Sequence, residues 1–275
     1  MTTRARISRR GFLGVAASAA VAGSAAPALG RVRRAKNPRH FVLVHGAWHG
    51  AWCWYKIVPG LEDAGHRVTT IDLPSAGIDP TPAGSVTLRA QADRVVATLD
   101  ALAEPVILVG HSAGGPPISM AAEARPDDIE KLVYVTAFLI PNGTSIAGAT
   151  LRDQGSLVSQ HLKLNPDGTF DVEPSGRQEV FYNECDERDV ALAQTLFKAA
   201  SFQANIDRVA IGDNFARVRR FYVSCLHDHA ISPDTQRAMY TALPCEHVFS
   251  IRSDHSPFLS HPTALLRVLA AIARS

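Results

Sequence analysis

Six short apolar runs recur along this chain, and stretches patterned for helices separate most of them. The runs are Phe41-Val42-Leu43-Val44, Arg67–Asp72, Val106–Val109, Leu132–Val135, Arg219–Val223 and Glu246–Ile251. Helix candidates fall near 52–64, 87–103, 115–124, 233–242 and 262–273, and Gly65 suits a helix C-terminal stop. Strands this apolar must be covered on both faces, and alternation with helices supplies the cover. The expectation is an α/β fold with a mostly parallel central sheet and helices on both faces. No internal repeat is present, which excludes solenoid and propeller architectures.

The rhythm breaks between Pro141 and Phe215. Turn formers cluster at Asn165-Pro166-Asp167-Gly168, and amphipathic stretches such as 189–200 follow. An insertion between two sheet strands reads as a cap at about 141–215, placed over the strands' carboxyl ends, where open α/β sheets bind ligands. A plain second domain is the simpler alternative. The core then comprises 40–140 and 216–275.

Directly after Val106–Val109 comes Gly110-His111-Ser112-Ala113-Gly114-Gly115. A Gly-x-Ser-x-Gly frame by itself is a common Gly-rich loop. Between a strand and a helix it describes a turn so tight that only small residues fit two positions either side of a serine. That turn projects the hydroxyl above the sheet edge as a nucleophile. No other serine in the chain has this frame.

A serine nucleophile needs a base, an acid to orient the base, and donors for the oxyanion. Asp228 follows the run Arg219–Val223 and His255 follows Glu246–Ile251, so both stand at strand carboxyl ends, as Ser112 does. Asp254 adjoins His255, but neighbouring side chains point apart, which makes Asp228 the better orienting acid. The position after Leu132–Val135 carries Thr136-Ala137-Phe138 and offers no carboxylate; Asp72 reads as a turn cap. The oxyanion donors are then the backbone N–H of Ala113 and, from the loop His45–Gly50, that of Ala47. His49 reads as a brace in that loop, and at least two of Trp48, Trp52 and Trp54 as packing at a helix start. His227 and His229 flank Asp228, yet the metal-ligand spacing of a zinc site is missing, so no metal is expected.

The chain of 275 residues is 46% hydrophobic and 20% charged, with a formal net charge of +2. That charge is unevenly spread. Arg4, Arg6, Arg9 and Arg10 open the chain, an Ala-rich apolar segment runs from Gly11 to about Ala22, and Ala26-Pro27-Ala28 resembles a cleavage site. Ser8-Arg9-Arg10-Gly11-Phe12-Leu13 resembles the twin-arginine export signal of bacteria. Residues 1–28 therefore read as a signal peptide and 29–39 as a flexible lead-in, with a periplasmic or secreted destination. The apolar segment is too short to span a bilayer. Losing those four arginines takes the net charge from +2 to −2. Apart from Arg31, Arg33, Arg34 and Lys36 in the lead-in, no basic patch remains, and neither nucleic-acid nor membrane contact is then expected. Four cysteines lack metal-like spacing, their disulfide state is left open, and so is a homodimer.

Several separated blocks resemble one group. Residues 41–54, Phe-Val-Leu-Val-His-Gly-Ala-Trp-His-Gly-Ala-Trp-Cys-Trp, are similar to the signature of the plant methylesterase and hydroxynitrile lyase group of α/β-hydrolases and its bacterial relatives. Asp72–Pro80, Gly110–Gly115 and Asp254–Pro257 match further blocks in order, and the likeness covers roughly 40–273. The resemblance implies an α/β-hydrolase fold, a Ser112–His255–Asp228 triad, an oxyanion hole from Ala47 and Ala113, a helical cap and no cofactor. Two departures stand out: Pro116 and Pro117 where aliphatic residues are usual, and a cap without tryptophan. Proline is accepted in a helix's first turn, so that helix should start near Gly115.

The reaction expected is hydrolysis of small carboxylic esters through an acyl-enzyme. The alternatives are a lyase that splits cyanohydrins, and a non-catalytic binder of small ligands on the same fold. The lyases of this group carry a lysine after the histidine and a threonine after the first loop histidine, where this chain has Ser256 and Gly46. Gly46 should leave room for an acyl group.

Overall fold

The computed structural model describes residues 35–275, so the leader 1–28 and the lead-in up to residue 34 lie outside the described residues. Six strands form one parallel sheet: β1 (His40–Val44), β2 (Arg67–Ile71), β3 (Val106–His111), β4 (Ile129–Val135) and, after the insertion, β8 (Arg220–Cys225) and β9 (His247–Ile251). Their spatial order is β2-β1-β3-β4-β8-β9.

The two-residue period of a strand sorts each apolar run between two cores. Phe41, Leu43, Ile107, Val109, Val133, Val135, Phe221 and Val223 face one side, where Leu61, Leu265, Leu269 and Ile272 cover them. Val42, Val44, Leu108, Leu132, Tyr134 and Tyr222 face the other, under Leu88, Val95, Leu99, Ile118 and Met239. Helices Val58–Asp63 and Pro262–Arg274 thus lie on the first face; Leu88–Leu102, Gly115–Ala124 and Pro233–Ala242 lie on the second. The edge strands β2 and β9 are partly open to solvent.

Local signals explain most boundaries. Thr87 caps Leu88–Leu102 by accepting from Ala90 N–H, and Gly65, at φ +88°, follows the Val58–Asp63 helix. The Gly115–Ala124 helix starts on Gly115 with both prolines in its first turn, where no backbone donor is lost. One stretch differs from expectation. Residues 52–64 are not one helix but a single 3₁₀ turn, Ala51–Trp54, followed by Val58–Asp63. Pro59 lacks the N–H a continuous helix would need there and is tolerated because the second helix begins beside it.

Between β4 and β8 the chain makes short helices, among them Ile146–Thr150, Pro174–Phe181 and Glu187–Leu196. It also makes an antiparallel sheet of β5 (Leu162–Leu164), β6 (Thr169–Val172) and β7 (Ala200–Ser201). The Asn165–Gly168 cluster is the β5–β6 turn: Asp167 accepts from Thr169 N–H, and Gly168 takes φ +80°. Among the described residues no helix is long and apolar enough to cross a membrane.

Candidate active site

β3 ends in the elbow. Ser112 takes φ +51°, in the left-handed region that costs a non-glycine residue on the order of 1–3 kcal/mol. Close packing enforces it. A Cβ on Gly110 would sit 2.7 Å from Ile118 and 2.8 Å from Gly114 O, and one on Gly114 would sit 2.6 Å from His45 O. One on Gly115 would meet Phe138 O at 2.2 Å. The serine therefore stands fixed at the head of the Gly115–Ala124 helix, facing a cavity of about 500 Å³.

The loops after β8 and β9 bring Asp228 and His255 together, with His255 Nδ1 2.7 Å from Asp228 Oδ2 in a buried pair. Every remaining site on that carboxylate is used. Oδ1 accepts from Ala230 N–H (2.7 Å) and Ile231 N–H (2.9 Å), and Oδ2 also accepts from Thr136 Oγ1 and Gln236 Nε2. Thr136, at the strand-end position that lacks a carboxylate, thus serves Asp228 from the neighbouring strand. Gln236 does the same from the Pro233–Ala242 helix and further accepts from Cys225 N–H.

Asp254 has a different set of partners. It accepts from Ser256 N–H, Ser260 Oγ, Glu184 N–H and the Cys185 thiol, and burial raises its pKa. It ties the His255 loop to the inserted segment. His227 pairs with Glu184, and His229 bonds to Glu179 O. All four cysteines are free thiols, and among the described residues no cluster of three or more His, Cys, Asp or Glu is placed to hold a metal.

Ala47 and Ala113 both line the cavity beside Ser112, and among the described residues neither backbone N–H has a protein acceptor. A Cβ on Gly46 would lie 2.6 Å from Ser112 Cβ and 3.0 Å from His111 Nδ1. Its bareness lets the loop press against the elbow, and Ser112 and His111 fill the space a side chain would need. Trp48, at φ +63°, reaches into the inserted segment, with its ring 5.0 Å from Phe170, 5.2 Å from Phe181 and 5.9 Å from Phe197. Its Nε1 donates to Phe170 O. Trp54 is the core packer, and Trp52 stacks on His49.

Phe181 stands 5.7 Å from the His255 ring and, with Ile146, Leu151, Phe170 and Phe202, makes the cavity wall mainly apolar. Among the described residues its one charged lining residue is Asp153, whose carboxylate accepts from Gly155 N–H and Ser232 N–H. No lysine or arginine among the described residues lines it.

The family model described as the alpha/beta hydrolase family matches residues 41–268. Methylesterase 18 of Arabidopsis thaliana is 35% identical over 259 residues, covering 87% of this chain and 98% of that protein. "Putative methylesterase 11, chloroplastic" from the same plant is 36% identical over 249 residues, 86% of this chain, which spans 64% of that longer protein. The crystal structure of the methylesterase MES16 from Arabidopsis superposes with a TM-score of 0.74 at 29% identity, covering 86% of this chain and all of the other. A strained serine on a strand–helix turn, under a mostly parallel sheet edge, in a chain so similar to methylesterases along its length, leaves one family: the chain belongs to the α/β-hydrolases, among the relatives of the plant methylesterases.

Proposed function

We propose that this carboxylic ester hydrolase cleaves small, uncharged carboxylic esters through an acyl-enzyme, with Ser112, His255 and Asp228 as its triad. The observation that carries the reading is the meeting, at one sheet edge, of a strained serine and a buried imidazole–carboxylate pair. Ser112 Oγ attacks the ester carbonyl and His255 Nε2 takes its proton. Asp228 holds Nδ1–H, so the tautomer is right for that transfer and the imidazolium is stabilised. Ala47 N–H and Ala113 N–H take the charge of the tetrahedral oxyanion. His255 then protonates the leaving alkoxide, and a water attacks the acyl-enzyme by the same route. Among the described residues no hydrogen bond joins Ser112 Oγ to His255; such contacts commonly close only with substrate in place.

The apolar wall and the absence of a lining cation among the described residues favour neutral esters over esters that also carry a carboxylate. They also disfavour the cyanohydrin lyase. Departing cyanide would find Ser256, itself buried, where a cation is needed, and developing anionic charge in an apolar pocket is costly. Purified protein offered mandelonitrile and a matched aryl ester should hydrolyse the ester and release little cyanide. Efficient cyanide release with negligible ester hydrolysis overturns the assignment, and neglect of both returns the chain to a ligand-binding role. The basic, twin-arginine-like start supports export to the periplasm or beyond; N-terminal sequencing of exported protein should then find residues 1–28 removed.

A further inference from the structure

Two imidazoles grip consecutive carbonyls of the loop that carries Ala47. His45 Nδ1 lies 2.7 Å from Gly46 O, and His49 Nδ1 lies 2.8 Å from Ala47 O. Their partners fix both tautomers. Leu73 N–H, which can only donate, points at His45 Nε2 at 3.1 Å, so Nε2 accepts and Nδ1 carries the proton. A carbonyl can only accept, so His49 Nδ1 is also protonated, and its Nε2 accepts from Tyr182 O–H at 2.9 Å.

The consequence follows from amide geometry. Gly46 C=O and Ala47 N–H belong to one trans amide and point in opposite directions. A donor holding the carbonyl on one side aims the N–H to the other, and Ala47 lines the cavity beside Ser112. The bond also polarises the amide, making the N–H a stronger donor toward developing negative charge. The His49 bond holds the next amide, at the left-handed kink of Trp48. Both rings are buried, and burial keeps both neutral.

Resting on the esterase reading above, we propose that His45 and His49 are positioning residues of the oxyanion hole. Each is a neutral Nδ1–H donor, His45 setting the amide that presents Ala47 N–H and His49 setting the kink behind it. Tyr182, from the helix-to-helix turn of the inserted segment, connects that segment to the second grip.

His45→Asn keeps a donor near the Nδ1 position, whereas His45→Gln places its amide nearer Nε2. His45→Gln should lower kcat about a hundredfold with KM within about threefold, and His45→Asn should keep roughly ten times more activity. Across wild type, both His45 variants and Tyr182→Phe, the inhibition constant of a trifluoromethyl ketone, which forms a tetrahedral oxyanion on the serine, should weaken in step with kcat/KM. The inhibition constant of the product acid should stay put. Independently, two-bond ¹H–¹⁵N spectra of the wild-type protein at pH 7 should show both rings as Nδ1–H tautomers. An Nε2–H tautomer or an imidazolium at either ring overturns the proposal. So does an active wild type matched by His45→Gln, or a ketone constant that ignores the kcat/KM series. If the wild type hydrolyses no ester at all, the esterase reading fails, while the tautomers still decide the placement.

Discussion

Ser112 and Asp228 follow the central strands β3 and β8, whose apolar residues are buried on both faces, His255 follows the edge strand β9, and all three side chains are buried. The cavity wall above them comes largely from residues 141–215, where elements run from two to ten residues and Leu151, Leu162 and Leu164 face solvent. Close packing holds the first region to one arrangement, because a strained serine or a fully ligated carboxylate persists only where neighbours leave no alternative. The second has far fewer such restraints. Reaction chemistry should therefore respond to substitutions in the floor, and substrate range to substitutions in the wall.

The largest expected effects lie in the floor and separate two carboxylates 26 positions apart. Ser112→Ala should abolish ester turnover with little change in thermal stability. Asp228→Asn should lower kcat by roughly 10³–10⁴, because His255 loses both its tautomer and support for its cation. Asp254→Asn should cost far less in kcat, since its acceptors hold Ser256, Ser260, Glu184 and Cys185 and not the imidazole. Steady-state kinetics of the three variants, with circular dichroism to confirm folding, check the order. A reversal of the two aspartates would remove Asp228 from the triad.

The same contrast governs what was legible from residues alone. The parallel sheet could be read because each apolar run is long enough for one strand and must be covered on both faces. Ser112, Asp228 and His255 could be singled out because each follows such a run. Thr136 and Gln236 could not. One is a threonine past a strand and the other a glutamine in a polar-looking helix, and only folding brings them onto Asp228. The β5–β6–β7 sheet went unread as well, since its strands are two to four residues long and carry too few residues for a period to show. Gly46 shows a related limit: a bare glycine marks a close approach, but not which side the approaching atoms come from.

Acid should expose the floor's second property, its buried neutral histidines. Burial lowers the pKa of His45, His49 and His111, that of His49 to about 3 from an ordinary 6.5. Between those values the unfolded chain binds protons that the native state does not, so stability rises with pH across the window and falls on acidification. Burial of Asp254 works the other way, as its raised pKa favours the native state once it is protonated. The histidines outnumber it, and urea denaturation should lose a few kcal/mol between pH 6.5 and 4. A midpoint unchanged across that interval would mean that the three rings are hydrated or charged, and the tight floor would be wrong.

The smallest effect belongs to the wall. Leu151 is 86% exposed and Leu164 59% exposed, yet both line the cavity, so they form an apolar lip between its interior and solvent. An acyl chain long enough to leave the cavity would cover them. Covering about 40 Å² of apolar surface on one leucine is worth about 1 kcal/mol, roughly a fivefold change in KM. Leu151→Ser and Leu164→Ser should each raise KM severalfold for an octanoate ester and leave the acetate ester of the same alcohol unaffected, because the short chain never reaches the lip. Stability should move little, since neither side chain is in the core. Measuring both esters on both variants separates the outcomes. Equal shifts for the two chain lengths would mean that the lip acts on the fold of the inserted segment, and a fall in kcat with KM unchanged would mean that wall and floor are mechanically one unit.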